Sequence, residues 1–388
     1  MQKIVYVLNT LASPGGIERI VIDKITYLLE SGKYQVGAIV TSDESQMEPF
    51  FTYPQGFECK YALSWDSFVK TVREMRPDVL VFTRPFFLEN ALVSILFPKI
   101  HRCVELHACY EAFLYPEERF GESACFDSSF FKMSQRVFPY LEQLILLTDR
   151  DRNMWGYLNS IVIPNFTKID VNKHPINSIS KRNVALALGR MVYQKGFDYL
   201  IDAWQRVCVK HPNWQLVIYG DGPLRQSLQN QINNLGIGKY ISLMGYEPNT
   251  QLVYKDATLV VMSSNYEGFP MVMIEALSNG IPVVSYDFPS GAKEMIIDGV
   301  NGHICKYRDV EDLSHSICKT IKEIEHNCYS ISDIQQSIAQ YSPTNILNEW
   351  DYLFERMLTH KHHRTCSEFR DSLVVLYKYF KAYLKNGK

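Results

Sequence analysis

At 388 residues the chain is too long for one ordinary core, so two domains are expected. A hydrophobic content of 46% and a charged content of 21% are those of a globular protein, and a formal charge of −2 excludes a global pull toward nucleic acid or anionic lipid. The nine cysteines show no CxxC or metal-type spacing, which argues for reduced thiols in a cytosolic protein, and no run approaches the roughly 18 apolar residues that span a bilayer.

The chain opens with a predicted strand at Ile4 to Leu8, too short for the apolar core of a signal peptide. A loop follows, with Gly15 and Gly16 in its turn, then a helix from Ile17 to Glu30 with Ile17, Ile20, Val21, Ile25, Leu28 and Leu29 at helical spacing. A glycine pair there lets backbone approach a phosphate or sugar closely. Apolar runs at Val36 to Val40, Val79 to Phe82, Cys103 to Leu106 and Leu144 to Leu147 alternate with helices at Phe68 to Met75 and Leu88 to Phe97, the pattern of a parallel α/β sheet. The order breaks down between His107 and Gln135, an aromatic-rich stretch. Ile161 to Asn165 closes this half, and the polar run Lys168 to Asn183 reads as a linker.

The alternation then restarts. Strands are expected at Val184 to Leu188, Gln215 to Tyr219, Ile241 to Met244, Thr258 to Met262 and Pro282 to Tyr286. Helices are expected at Tyr199 to Val209, Leu224 to Asn234, Met271 to Asn279, Asp309 to Glu325 and Ile346 to Leu358. Two α/β halves make a cleft between domains the default ligand site. The organisation is 1–165, 166–342, a helix at 343–360, and a tail at 361–388. In the tail Phe369, Leu373, Leu376, Phe380 and Leu384 recur at helical steps beside Lys378, Lys381, Lys385 and Lys388, a pattern able to lie in a membrane interface or to pack on the protein body.

The chemistry concentrates in the second half. Glu267 and Glu275 lie eight positions apart, one in a loop after a strand and one a turn into the next helix. Free N–H groups at that helix start attract anions, and an ionised glutamate accepts hydrogen bonds from sugar hydroxyls. Phe269 and Met271 offer backbone N–H groups there, whereas Pro270 cannot. Arg190 and Lys195 follow another strand, a planar fork and a compact charge that both suit phosphate oxygens. The string Asp149-Arg-Asp151 could hold a metal, but at a helix start its acids fit capping and the helix dipole better. His360, His362 and His363 lack acid or cysteine partners at zinc spacing.

The string Tyr266-Glu-Gly-Phe-Pro-Met-Val272, continued by Glu275-Ala-Leu and Pro282-Val-Val284, resembles the Glu-x7-Glu signature of glycosyltransferase family 4. So does Leu188-Gly-Arg-Met-Val-Tyr-Gln-Lys-Gly-Phe197, and the likeness extends through Gly220-Asp-Gly-Pro223 to Gly299-Val-Asn-Gly302. It is thinner over Ile4 to Ile25, and 48–136 matches little. The resemblance implies a GT-B fold, two Rossmann-like domains facing each other across a cleft, and retaining transfer from a nucleotide sugar. It implies an N-terminal acceptor domain and a C-terminal donor domain, catalytic roles for Glu267, Arg190 and Lys195, and no metal or cofactor. Donor contacts are expected at Gly15, Gly16, His107, Arg190, Lys195, Tyr246, Glu267, Gly268, Phe269, Pro270, Met271 and Glu275, the last on the ribose. The nearest likeness is to bacterial transferases of capsule, exopolysaccharide or O-antigen synthesis, which use UDP-sugars and often lipid-linked acceptors. A cytoplasmic place, peripheral on the inner face of the cell membrane, would fit the basic tail.

Other readings stay open: another GT-B enzyme such as a phosphorylase or nucleotide-sugar epimerase, or a non-catalytic sugar- or nucleotide-binding module. A phosphorylase would need a pyridoxal-phosphate lysine site and a larger chain. A non-catalytic module would be expected to have lost Arg190, Lys195 or Glu267.

Overall fold

The computed structural model describes residues 1–12, 15–43, 47, 49–84, 87–114, 141–167, 182–289 and 291–359. They form two compact units. One holds the described residues within Met1–His107, Phe126–Ile163 and Leu347–Lys388, the other those within Ala108–Cys125 and Pro164–Ile346. The tail 361–388, the histidines at His360, His362 and His363, and most of the aromatic stretch and linker lie outside the described residues.

The first unit runs β1 (Gln2–Leu8), α1 (Gly16–Glu30), β2 (Tyr34–Val40), β3 (Glu58–Tyr61), α2 (Trp65–Met75), β4 (Val79–Phe82), α3 (Phe87–Leu96) and β5 (His101–Glu105). A short α4 (Tyr110–Leu114) counts with the second unit, and β6 (Gln143–Leu146), α5 (Asp149–Trp155) and β7 (Ser160–Val162) complete the sheet. Its seven strands stand in the order β3-β2-β1-β4-β5-β6-β7, all pairs parallel. Ile4 to Leu8 and the whole of β4 are buried, because a parallel sheet covered on both faces needs unbroken apolar strands.

The second unit runs β8 (Val184–Leu188), a 3₁₀ turn (Tyr193–Lys195), α6 (Phe197–Lys210), β9 (Gln215–Tyr219), α7 (Arg225–Asn234), β10 (Ile241–Leu243), α8 (Thr250–Lys255) and β11 (Leu259–Met262). Then come α9 (Met271–Ser278), β12 (Val283–Tyr286), α10 (Ala292–Met295), β13 (Gly302–Cys305), α11 (Val310–Glu325) and α12 (Ile331–Gln336). Its parallel strands stand in the order β10-β9-β8-β11-β12-β13. Helix α6 buries Phe197, Leu200, Ile201, Trp204 and Val207, the i, i+3, i+4, i+7 stripe of a core-facing helix. Each such side chain contributes roughly 1.5–3 kcal/mol by leaving water. Trp214 is buried too, and its Nε1 donates to Glu325 Oε1 at 3.2 Å.

The last helix, α13 (Pro343–Thr359), counts with the first unit from Leu347 onward. Trp350 and Phe354 are buried there, with the Phe354 ring 5.8 Å from Tyr34 of β2.

Two strands were not expected, β3 and β13, and both are sheet edges. β3 is half-buried throughout and carries charges: Lys3 Nζ donates to Glu58 at 2.6 Å and Lys60 Nζ to Glu74 at 2.9 Å. In β13, Gly302 sits at φ +150°, where an added Cβ would come within 1.8 Å of the Val283 carbonyl oxygen, so only glycine lets this strand reach β12. The neighbouring His303 is pinned from both ring nitrogens, Nδ1 2.5 Å from Asp298 Oδ1 and Nε2 2.7 Å from Glu323 Oε2.

The strand order reverses once in each sheet, between β1 and β4 and between β8 and β11. Open parallel sheets bind ligands outside the carboxyl ends of the strands at such a reversal.

Candidate functional site

In the second unit the reversal falls where the sequence places its chemistry. The loop after β8 carries Arg190 and Lys195, and the loop after β11 carries Glu267 and Gly268. Lys195 Nζ lies 2.6 Å from Glu267 Oε1, with the two side chains 16% and 8% exposed. Ser264 Oγ donates to the same oxygen at 2.6 Å, and Gln194 Nε2 lies 3.4 Å from Oε2. Glu267 therefore accepts from both strand ends. Gly189, at φ +148°, makes room for the lysine stem: a Cβ there would sit 2.5 Å from Lys195 Cε. The Arg190 side chain is exposed, and among the described residues its guanidinium makes no hydrogen bond or ion pair.

Helix α9 starts beside this pair. Its N-cap is Pro270, and Phe269 is buried with its ring 5.7 Å from Tyr341. One expectation is corrected. The Met271 N–H donates to Phe269 O at 2.9 Å, so it is spent inside the loop rather than offered to a ligand. Among the described residues the N–H groups of Phe269 and Val272 have no such bond, and they are the donors left at this helix start. Glu275, 7% exposed, accepts from the Tyr254 hydroxyl at 2.9 Å.

Tyr246 is exposed just beyond β10. Arg225 fixes the chain before it by donating to Leu243 O at 2.9 Å and Met244 O at 2.7 Å, and Gly220 N–H donates to Gly245 O at 3.1 Å. Asp221 accepts from Gly222 N–H at 2.8 Å with its own side chain, which is turn chemistry.

Gly15, Gly16 and His107 belong to the first unit. Gly15 is the N-cap of α1 at φ −71°, so it is not there for a left-handed backbone; a Cβ on Gly16 would meet nothing within 4 Å. His107 follows β5, its side chain 3% exposed and its Nε2 3.3 Å from Glu105 Oε1. Neither ring nitrogen has hydrogen-bond geometry to a described residue. Glu105 also takes the ammonium of Lys24, from α1, in an ion pair whose side chains are 1% and 2% exposed. Burial pushes the Glu105 carboxyl up, but Lys24 and His107 outweigh it and bring it down to about 2. Lys24 Nζ also lies 4.7 Å from the centre of the Trp350 ring.

Asp149 and Asp151 occupy the first turn of α5, whose cap is Thr148; its hydroxyl accepts from Asp151 N–H at 3.1 Å. Asp149 lies 3.6 Å from Arg152, and among the described residues no group of three His, Cys, Asp or Glu could hold a metal ion. Four residues at the site were not foreseen: Gln194, Ser264, Asn265 and Tyr254. The polar run Ser263-Ser264-Asn265, directly after an apolar strand, is the signal that could have found two of them.

Residues 168–331 match the family model described as glycosyl transferases group 1. Over 90% of this chain and 99% of theirs, two curated relatives align: an uncharacterized glycosyltransferase of Haemophilus influenzae at 23% identity, and the amylovoran biosynthesis glycosyltransferase AmsD of Erwinia amylovora at 24%. Among solved structures, Anabaena HepE in complex with UDP and glucose superposes with a TM-score of 0.74 at 19% identity, covering 92% of this chain and 100% of that one. The described parallel α/β units have the GT-B fold, and the second carries the sequence pattern of the group 1 glycosyl transferases.

Proposed function

We propose that the protein is a retaining glycosyltransferase of family 4 that moves a hexose or N-acetylhexosamine from a UDP-sugar to a saccharide acceptor. The observation that carries this reading is the Lys195–Glu267 pair at the β8/β11 reversal, with the unengaged Arg190 guanidinium in the same loop as Lys195. A diphosphate leaving group needs positive charge and N–H donors as the glycosidic bond breaks. Arg190, Lys195 and the N–H groups of Phe269 and Val272 supply them without a metal. Glu267 takes the sugar side, beside Gly268 and the rigid Phe269-Pro270 turn, and Glu275 takes the ribose, its carboxylate held by Tyr254. Tyr246 offers a face to the base. The transfer runs by departure and attack on one face of the sugar, the leaving phosphate taking the acceptor's proton. The protein's share is positioning and charge stabilisation.

The relatives support a polysaccharide product: AmsD serves amylovoran synthesis, and HepE was seen with UDP and glucose. A lipid-linked acceptor at the inner face of the membrane would give the 361–388 tail its use. No described helix is long and apolar enough to cross a membrane.

A hydrolysis and thermal-shift screen against nucleotide sugars, with EDTA present, tests the reading. Stabilisation by one UDP-sugar, lost in Arg190→Ala, is the expected result. Stabilisation by no nucleotide sugar overturns it.

A further inference from the structure

We infer that Asn265 is a positioning residue, riveting the Lys195 loop to the Glu267 loop, with Arg308 and Tyr307 gripping it from a third segment. The inference rests on reading this pocket as the site of a nucleoside diphosphate sugar, and it adds the device that keeps the pocket's two charged arms in register.

All four polar groups of Asn265 are engaged, and the residue is 1% exposed. Its N–H donates to Gln194 O at 2.7 Å, and its Nδ2 donates to Tyr193 O at 2.6 Å. Its Oδ1 accepts from Arg308 Nε at 2.7 Å, and its carbonyl accepts from the Tyr307 hydroxyl at 3.0 Å. One residue thus joins the segments that follow β8, β11 and β13. The two bonds to the β8 segment end on the residues immediately before Lys195. Glu267 stands two residues after Asn265, and Gln194 returns the tie by donating to Tyr266 O at 3.1 Å. Ser263 Oγ adds a bond to Lys195 O at 3.0 Å. The 2.6 Å Lys195–Glu267 separation is therefore set by backbone ties, of which Asn265 supplies two.

Arg308 is arranged for this grip. Its backbone is left-handed at φ 57°, which a non-glycine residue holds only where its surroundings over-determine it. Its guanidinium lies 5.6 Å from the Tyr193 ring centre and 5.1 Å from that of Tyr307, and it donates to the Tyr193 hydroxyl. The cation is thus spent on the scaffold, in contrast to Arg190.

The rivet acts through Lys195 and Glu267, so its loss falls on the part of the ligand those two reach: the second phosphate and the sugar. The nucleoside end, assigned to Glu275 and Tyr246, should be spared. Calorimetric titration of uridine monophosphate, UDP and UDP-glucose into wild type, Asn265→Ala, Arg308→Gln and Lys195→Ala makes the test, with the adenosine and guanosine series run alongside. Both rivet variants are expected to bind the monophosphate within about twofold of wild type and UDP-glucose about tenfold more weakly, equivalent to about 1.4 kcal/mol. Arg308 is exposed, so Arg308→Gln carries the test if Asn265→Ala does not fold. Equal losses for all three ligands would reduce Asn265 to general packing and overturn the inference. So would unchanged affinities in Arg308→Gln while Lys195→Ala loses UDP. If wild type binds none of the nucleotides, the pocket reading falls and takes the rivet with it.

Discussion

Among the described residues two Lys–Glu pairs are buried or nearly so, one in each unit, and they are built to opposite ends. Lys24–Glu105 is sealed: both side chains are almost without solvent, and Trp350 covers the ammonium. Lys195–Glu267 stands at the carboxyl ends of β8 and β11, retains some exposure, and has an unengaged arginine, Arg190, in the same loop as Lys195. Taking charges out of water is costly, and the sealed pair recovers that cost only while both partners remain. The open pair keeps some contact with water, and on the proposed function that is where a ligand's charge enters. On the proposed function the same two residue types make a structural clamp in one unit and a binding arm in the other, and exposure separates the two pairs.

The sharpest way to break this comparison is to remove each lysine in turn. Lys24→Met leaves Glu105 buried with only His107, 3.3 Å away, beside it and should cost about 3–5 kcal/mol of stability, read as a lower urea midpoint. Lys195→Ala should lower turnover by about 10²–10³-fold, with a smaller stability loss than Lys24→Met because Glu267 keeps Ser264 and Gln194. If Lys195→Ala unfolds the protein as readily as Lys24→Met, the distinction fails. Tyr254→Phe removes one hydrogen bond to Glu275 and should weaken nucleotide binding by about 0.5–1.5 kcal/mol, with kcat at saturating donor little changed. The last effect is confined to acid. Glu105 titrates at about 2 in the folded protein, below the ordinary 4.5 of an unfolded chain. Its contribution is complete above the unfolded value and is lost as pH falls toward about 2. Urea melts across that window should therefore show declining stability, and Glu105→Gln should flatten that part of the curve.

Much of this was legible in the sequence because parallel strands buried on both faces are unbroken apolar runs. β1, β4, β8 and β11 each read that way, and their order places the loops that bear Arg190, Lys195 and Glu267. Two of the edge strands were not legible. β3 is Glu-Cys-Lys-Tyr and β13 is Gly-His-Ile-Cys, and neither has an apolar period, because an edge has one side to cover and charges or a glycine to place. Within the site, chemistry-bearing residue types were visible and their supports were not. Arg308 lies more than a hundred positions after Tyr193, and only the fold brings them together. The Met271 N–H looked available because the turn that folds it onto Phe269 O has no sequence mark.

The cover that Trp350 gives Lys24 also has a consequence in time. The first unit draws on residues before 108 and again on residues after 346, whereas the second is complete once Ile346 has been made. At the roughly 5–20 residues per second of synthesis, Lys24 emerges about 15–65 s before Trp350. Throughout that interval a nascent chain carries an ammonium whose aromatic cover does not yet exist, while the second unit is free to fold. The half of the molecule that begins at the N-terminus is therefore the half that finishes last, and a chaperone acting on the growing chain would find its work there.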